Sequence, residues 1–289
     1  MKAYLDIIQK VFTKGKKKVV RNDVPTLAVS GMIFEHEMSE GFPLITTKTV
    51  PYRLVSSELE FFIQGKTDKE WLRTINNNHI WDEWCSPDVV SYGTDKKTKE
   101  KMEAEREMGP IYGFQWRHFN APYHGWNKNY GQEGIDQLKG IIDCLKTNPE
   151  NRGLLVSAWN PQQLKQMALR PCHYSFQIDV IDNKLSLMWN QRSVDVGLGL
   201  PFNIASYATL LHLLAKESGL KEGRLVGFLG DVHIYDIHKE GLTEQLTREP
   251  KPLPTIETKN FTSTLDWSYK QTEIINYKHH PKIKMEKAI

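Results

Sequence analysis

The sequence predicts an α+β protein in which a mixed, mostly antiparallel sheet carries a buried central helix. Three observations predict it. Residues 174–182 and 184–192 alternate apolar and polar positions on either side of Asp182-Asn183, a tight-turn pair, and so form an antiparallel hairpin. Residues 202–217 are apolar nearly all round at helical period, from Phe202 to Ala215, as an enclosed helix must be. The remaining strand and helix patterns come in mixed order, as in α+β folds.

The elements follow in order. Tyr4, Leu5, Ile8, Val11 and Phe12 recur at helical spacing and predict a helix over 3–13. Residues 26–35 read as a strand, with Gly31 a candidate bulge. A helix over 52–64 ends at Gly65, and a shorter one covers 68–76. Residues 76–84 form an aromatic, polar loop. Lys and Glu dominate 93–108, which predicts a solvated helical excursion within a charged insertion around 85–108. An amphipathic helix over 133–147 leads to a strand over 154–159 and then the hairpin. Gly219 suits the C-terminal cap of the central helix. A strand over 224–235 comes next, and the proline-bearing tail holds a polar, strand-like stretch near 265–278. No internal repeat divides residues 1–289, a length that suits one large domain or two small ones.

Composition narrows the function. Apolar residues make up 39% and charged residues 25%, ordinary for a globular enzyme. A net charge of +3 argues against a general nucleic-acid binder, yet leaves room for a local arginine cluster that grips a small anion. The three cysteines, Cys85, Cys144 and Cys172, show no disulfide or metal-site spacing, so a reducing, cytoplasmic setting and no metal are expected. The N-terminus lacks the apolar core of a signal peptide, and no apolar run nears the roughly 18 residues that span a bilayer.

The chemistry centres on Arg170-Pro-Cys-His-Tyr174. Cys172 stands where a strand begins. Taken alone, such a cysteine is more often packing than catalysis. Arg170, His173 and Arg192 change the balance, because positive neighbours favour the reactive thiolate. A hairpin turning at 182–183 sets residues near 173 and 192 opposite each other, so Arg192 reaches the thiol. Gln191-Arg-Ser-Val-Asp195 adds an amide, a guanidinium, a hydroxyl and a carboxylate. Arg192 and Ser193 suit a phosphate, while a polar strand end with a salt bridge reads equally well. Asn203 is either a helix cap or a reader of an imide edge such as that of uracil; a carboxylate there would suit an amino-bearing base. Glu58 lies in a helix among apolar residues. Surface exposure is the default, but on the buried face its pKa would rise towards neutrality. His233 and Tyr235 share one strand face and could hold a sugar hydroxyl or simply satisfy each other. Trp81 and Trp84 suggest a stacking wall for a flat heterocycle, against ordinary packing. The composite is a pyrimidine nucleotide attacked by sulfur.

With these residues in place, the chain resembles the thymidylate synthases of the folate-dependent, cysteine-nucleophile type, over essentially its whole length. The matching segments include Gly41-Phe-Pro-Leu-Ile-Thr-Thr-Lys48, Ile80-Trp-Asp-Glu-Trp84, Gly109-Pro-Ile-Tyr-Gly-Phe-Gln-Trp-Arg117, Met167-Ala-Leu-Arg-Pro-Cys-His173, Gln191-Arg-Ser-Val-Asp195, the run from Gly199 to Tyr207, and Gly230-Asp-Val-His-Ile-Tyr235. The resemblance implies that Cys172 adds to C6 of deoxyuridylate. C5 then takes a methylene from 5,10-methylenetetrahydrofolate, and hydride from the same folate completes thymidylate and dihydrofolate. It implies that Arg21, Arg192 and Ser193 hold the phosphate with Arg152 of the partner subunit, in an obligate homodimer with shared sites. Gln191, Asp195 and Asn203 belong to the nucleotide site, and Asn203 reads the base. His233 and Tyr235 hold the ribose hydroxyl. Glu58, Tyr112 and His173 form the proton-transfer network. Lys48, Ile80, Trp81, Trp84, Asp195, Leu198, Gly199, Phe202 and Ile289 line the folate site.

The chain departs from that pattern in places. Asn22-Asp-Val-Pro-Thr26 replaces a Thr-Gly-rich run after Arg21, and Arg152-Gly153 replaces two adjacent arginines. One charge-assisted phosphate bond, worth about 1.5–3 kcal/mol, is thereby missing. Gly197 stands where phenylalanine is common and Asn190 where tyrosine is common, which predicts a roomier pocket. Lys287 lies in the tail that would close over the folate. The rival reading is a deoxyuridylate hydroxymethylase, in which water replaces hydride. Asn203 and Trp81 favour the synthase, while an enlarged pocket near Gly197 would favour the rival. A non-catalytic nucleotide- or RNA-binding relative fits poorly with Cys172, Glu58, Asn203 and Arg192 all in place.

Overall fold

The computed structural model describes residues 1–19 and 24–288. Helix α1 (Lys2–Lys14) buries Tyr4, Ile7, Ile8 and Val11 along one face. Strand β1 (Lys16–Lys18) and β2 (Thr26–Glu37) come next. Five helices follow: α2 (Tyr52–Ile63), α3 (Lys69–Asn76), α4 (Lys96–Ala104), α5 (Tyr112–His118) and α6 (Gln137–Thr147). Then come β3 (Leu155–Ser157), β4 (His173–Ile181), β5 (Lys184–Asp195), α7 (Gly199–Ser218) and β6 (Lys221–Tyr235). Helix α8 (Lys239–Thr247) precedes a small hairpin of β7 (Thr255–Thr258) and β8 (Thr272–Ile275).

The main sheet has the order β1-β2-β6-β5-β4-β3. Every neighbouring pair is antiparallel except β5 and β6, which run parallel. A parallel pair needs a crossover, and α7 supplies it. Ile204 to Ala215 are all buried in α7, and Gly219 closes it at φ 68° with its N–H on Ala215 O. A fully buried leucine contributes about 1.5–3 kcal/mol, so Leu210, Leu211, Leu213 and Leu214 make this helix a principal element of the core. The predicted β4–β5 hairpin is present. Asp182 and Asn183 adopt φ 51° and 60°, as a type I′ turn requires. Along β5, Leu185, Leu187, Trp189 and Gln191 face inward in strict alternation. The Trp189 ring stacks on Tyr207 of α7 at 5.4 Å and 9°. On β6, Gly227 leaves room for that indole: a Cβ there would lie 2.4 Å from it.

Some expectations are corrected. Gly31 has φ 72°, but the β2–β6 register is the same on both sides of it, so the strand continues without a bulge. The helix expected from 133 starts at Gln137, because Gly134 is left-handed at φ 74° and Asp136 caps the Lys139 N–H at 3.0 Å. Of the stretch 265–278 only Thr272–Ile275 forms a strand, and it pairs with β7 earlier in the tail. The charged insertion is solvated along α4 but not at its end. Glu107 and Met108 are buried, and the Met108 N–H donates to Thr67 O at 2.9 Å. No helix among the described residues is long and apolar enough to cross a membrane.

Candidate active site

Cys172 immediately precedes β4, and His173 pairs with Gln191 of β5. The Arg192 N–H donates to Cys172 O at 2.8 Å. Its guanidinium donates from Nε to Pro171 O (2.9 Å) and from Nη2 to Arg170 O (2.8 Å). The hairpin thus delivers Arg192 to the segment bearing the thiol, as its turn predicts. The Cys172 N–H donates to the Tyr112 hydroxyl at 2.8 Å. Burial first, then negative charge at Cys172, pushes the Tyr112 phenol well above its ordinary pKa, so it stays protonated.

His173 does not play the part its sequence position suggests. Burial pushes its pKa down to about 3, so the ring is neutral and lends the thiol no positive charge. Its Nδ1 lies 2.9 Å from the Tyr207 hydroxyl, and its ring packs 4.4 Å from that of Tyr112. Arg170 is exposed. The cation tied closest to Cys172 is therefore Arg192.

Glu58 sits on α2 beside buried Val55, Leu59 and Phe62. Burial raises its pKa to about 7, opposed by a 2.7 Å hydrogen bond from the Trp81 indole N–H. The Trp81 ring packs 6.0 Å from Tyr112 and 6.4 Å from Phe62. Cys172, Tyr112, Trp81 and Glu58 therefore form one continuous chain of contacts. The two loop tryptophans differ: Trp81 is buried, whereas Trp84 stacks on Tyr92 at 6.2 Å and 17°. Ile80, just before Trp81, is half-buried.

Gln191 fixes Asn203. Its Nε2 donates to Asn203 Oδ1 and to Ser193 O, both at 3.0 Å, while its Oε1 accepts the Trp189 indole N–H at 3.0 Å. The carboxamide of Asn203 is thereby oriented. The helix-cap reading fails, because α7 starts earlier, with Leu198 at its N-cap, and Asn203 lies inside it. Ser193 and Asp195 pair with Asp231 and His233 across the parallel strands. His233 and Tyr235 meet on one face with ring centroids 5.0 Å apart. Arg152 is exposed in the turn before β3. Arg21 and Ile289 lie outside the described residues, as do Asn22 and Asp23 of the altered loop.

Asp195 organises the entrance to α7. Its Oδ1 accepts the N–H groups of Gly197 (2.9 Å) and Leu198 (3.3 Å), which sets Leu198, Gly199 and Phe202 at the helix start. Burial alone would raise its pKa. The His238 ring beside it, with charge from His233 and the Leu198 N–H, holds it below the usual carboxylate range. Lys48 is buried and donates to Gly197 O at 2.5 Å. Burial lowers its pKa to about 8 against the pull of Asp195.

His238 is a member of this cluster that the sequence did not single out. It is fully buried, with Nδ1 3.5 Å from Asp195 Oδ1 and Nε2 donating to Glu286 O at 2.7 Å. Its burial opposes protonation, but Asp195 and the Glu286 carbonyl raise its pKa overall. A lone histidine in a short irregular segment has no periodic signal to announce it. His238 also overturns the roomier pocket. A Cβ on Gly197 would lie 2.6 Å from His238 Nδ1 and 3.3 Å from Met285 Sδ, so the space is already filled. Asn190 donates to Ser175 Oγ at 3.1 Å. It alternates away from inward-facing Gln191 and lines a groove of about 870 Å³ with Ile33 and Phe228. Lys287 Nζ donates to both Glu83 oxygens at 2.8 Å, pinning the tail to the loop of Trp81 and Trp84.

The chain is similar to known proteins over nearly its whole length. The family model described as thymidylate synthase matches residues 2–289. The chain is 44% identical over 288 residues to a thymidylate synthase of Herpesvirus ateles, covering 99% of this chain and 97% of the relative. It is 40% identical over 301 residues to the thymidylate synthase of Mycoplasma pneumoniae, covering 100% of both. A bifunctional dihydrofolate reductase-thymidylate synthase of Paramecium tetraurelia is 42% identical over 293 residues; there the match covers 99% of this chain and 61% of the longer relative.

Proposed function

The chain belongs to the thymidylate synthase family, and from that premise we propose that it converts deoxyuridylate to thymidylate. Cys172 adds as thiolate to C6 of the uracil ring, which makes C5 nucleophilic. The co-substrate 5,10-methylenetetrahydrofolate, when bound, supplies the one-carbon unit and the hydride and leaves as dihydrofolate. Asn203 reads the imide edge: its NH2 donates to O4 and its Oδ1 accepts from N3–H. Glu58, titrating near neutrality beside Tyr112 and the neutral His173, takes and returns protons. Arg192 and Ser193, with Arg21 and with Arg152 of the partner subunit, hold the phosphate. His233 and Tyr235 hold the ribose hydroxyl. Lys48, Ile80, Trp81, Trp84, Asp195, Leu198, Gly199, Phe202 and Ile289 line the folate site. Hydroxymethylation would need water at the methylene. The room near Gly197 that suggested it is occupied by His238 and Met285.

The observation that carries this reading is the Gln191–Asn203 bond, which orients a donor and an acceptor side by side from the strand residue next to Arg192, whose N–H donates to Cys172 O. Cys172→Ala should keep deoxyuridylate binding and lose thymidylate formation. Turnover undiminished in that variant would remove the thiol from the mechanism.

The assembly that fits this reading is a homodimer of one-domain chains joined through the open face of the sheet. Ile33 is 57% exposed and Phe228 43% exposed there, and the two are paired across β2 and β6 as one apolar patch. Three cysteines outside any disulfide fit a reducing, cytoplasmic setting.

A further inference from the structure

The side chain of Lys69 is among the most deeply buried in the protein, at 1% exposure, and it carries a charge. Its ammonium donates to three backbone carbonyls: Asp82 O (2.7 Å), Trp84 O (2.8 Å) and Met102 O (2.7 Å). All three of its protons are thereby used. One turn along α3, Arg73 repeats the pattern. Its Nε donates to Asp82 Oδ1 at 2.8 Å and its Nη2 to Glu103 O at 2.8 Å. Residues i and i+4 of a helix share a face, so α3 presents two adjacent cations to the same two segments.

Those segments are informative. Met102 and Glu103 belong to the last turn of α4, whose carbonyls have no partner within their own helix. Cations are favourable at that end of a helix. Helix α4 is otherwise poorly held, with Met102 its one buried residue. Asp82 to Trp84 is the loop that carries the folate wall in the reading above. One set of cations therefore closes the end of a surface helix and fixes the backbone of that wall.

We infer that Lys69 is a positioning residue for the folate wall: it joins the backbone at Asp82 and Trp84 to the C-terminal end of α4, so the charged insertion and the wall move as one body. The reach extends to the tail, because Glu83, between the two anchored carbonyls, holds Lys287. Replacing Lys69 by an apolar residue of similar length leaves three carbonyls unpaired and frees the wall. A displacement on the ångström scale is enough to impair a site whose parts must converge.

The inference rests on the proposed function, and thymidylate formation by the unaltered enzyme tests that separately. In the Lys69→Met enzyme, KM for methylenetetrahydrofolate should rise about tenfold while the deoxyuridylate Kd stays within about twofold of the parent. The nucleotide Kd shows that the variant is folded. Equal losses for both substrates, or none for either, would overturn the assignment. A second measurement needs no variant. Hydrogen exchange of the full-length enzyme, with deoxyuridylate and then with a folate added, should show protection rising together in 79–86 and 96–106. Protection gained in 79–86 with 96–106 unchanged would show that the two are not joined.

Discussion

Glu58 is a carboxyl held near its point of balance. Burial raises it to about 7 while the Trp81 N–H favours the anion. Glu58→Gln should lower kcat by about 10²–10³-fold, the usual contribution of a positioned proton carrier, with nucleotide binding retained. Stability should respond in a defined direction. A carboxyl whose folded pKa is raised stabilises the fold below its unfolded value, near 4.5, and that contribution is lost as pH rises through about 7. The Gln variant should thus be the more stable of the two above pH 7 in thermal melts, with the gap closing towards pH 4.5. Asn203→Asp should reduce kcat/KM for deoxyuridylate by about 10²-fold and improve a cytosine nucleotide relative to it, measured by competition. Candidates of this kind stand out in the sequence, because Cys172, Glu58 and Asn203 suggest chemistry by type and neighbourhood. Charge states do not. His173 beside Cys172 looks like a cation on paper, and only its burial against Tyr112 and Tyr207 shows that it is neutral.

Elements carrying long apolar periods were legible too: α1, α2, α7 and the β4–β5 hairpin stand close to where their patterns put them. Shorter ones were not. Helix α5 has seven residues and β7 only four, too few for a period to stand out. The tail was the larger surprise, since Met285, Glu286 and Lys287 contact Gly197, His238 and Glu83 through side chains and carbonyls far away in sequence. Gly197→Ala should cost about 1–3 kcal/mol, because its Cβ would press on the His238 ring 2.6 Å away, and thermal melts would register it. Lys287→Ala should behave differently. Its ion pair with Glu83 is half-exposed and screened, so stability should change by at most about 1 kcal/mol, yet the folate KM should rise and the difference should shrink in high salt. A Lys287→Ala enzyme with unaltered folate KM at low salt would mean that the pair does not hold the tail.

For the whole molecule, the alternation along β2, β5 and β6 predicts two sheet faces, one against α7 and one open. The open face bears Ile33 and Phe228 at its centre, and Arg152 lies exposed beside β3. A homodimer across that face would make Arg152 a ligand of the other subunit's phosphate. Mixing inactive Arg152→Ala and inactive Cys172→Ala chains, unfolded and refolded together, should then restore activity, because a mixed dimer holds one intact site. No recovery after mixing would place Arg152 outside shared catalysis. The fate of the covalent Cys172 adduct decides the reaction, since hydride and water would give different products from the same intermediate. Mass spectrometry after incubation with deoxyuridylate and methylenetetrahydrofolate tests it directly. Thymidylate with dihydrofolate is the predicted result, and 5-hydroxymethyl-deoxyuridylate with tetrahydrofolate would contradict it.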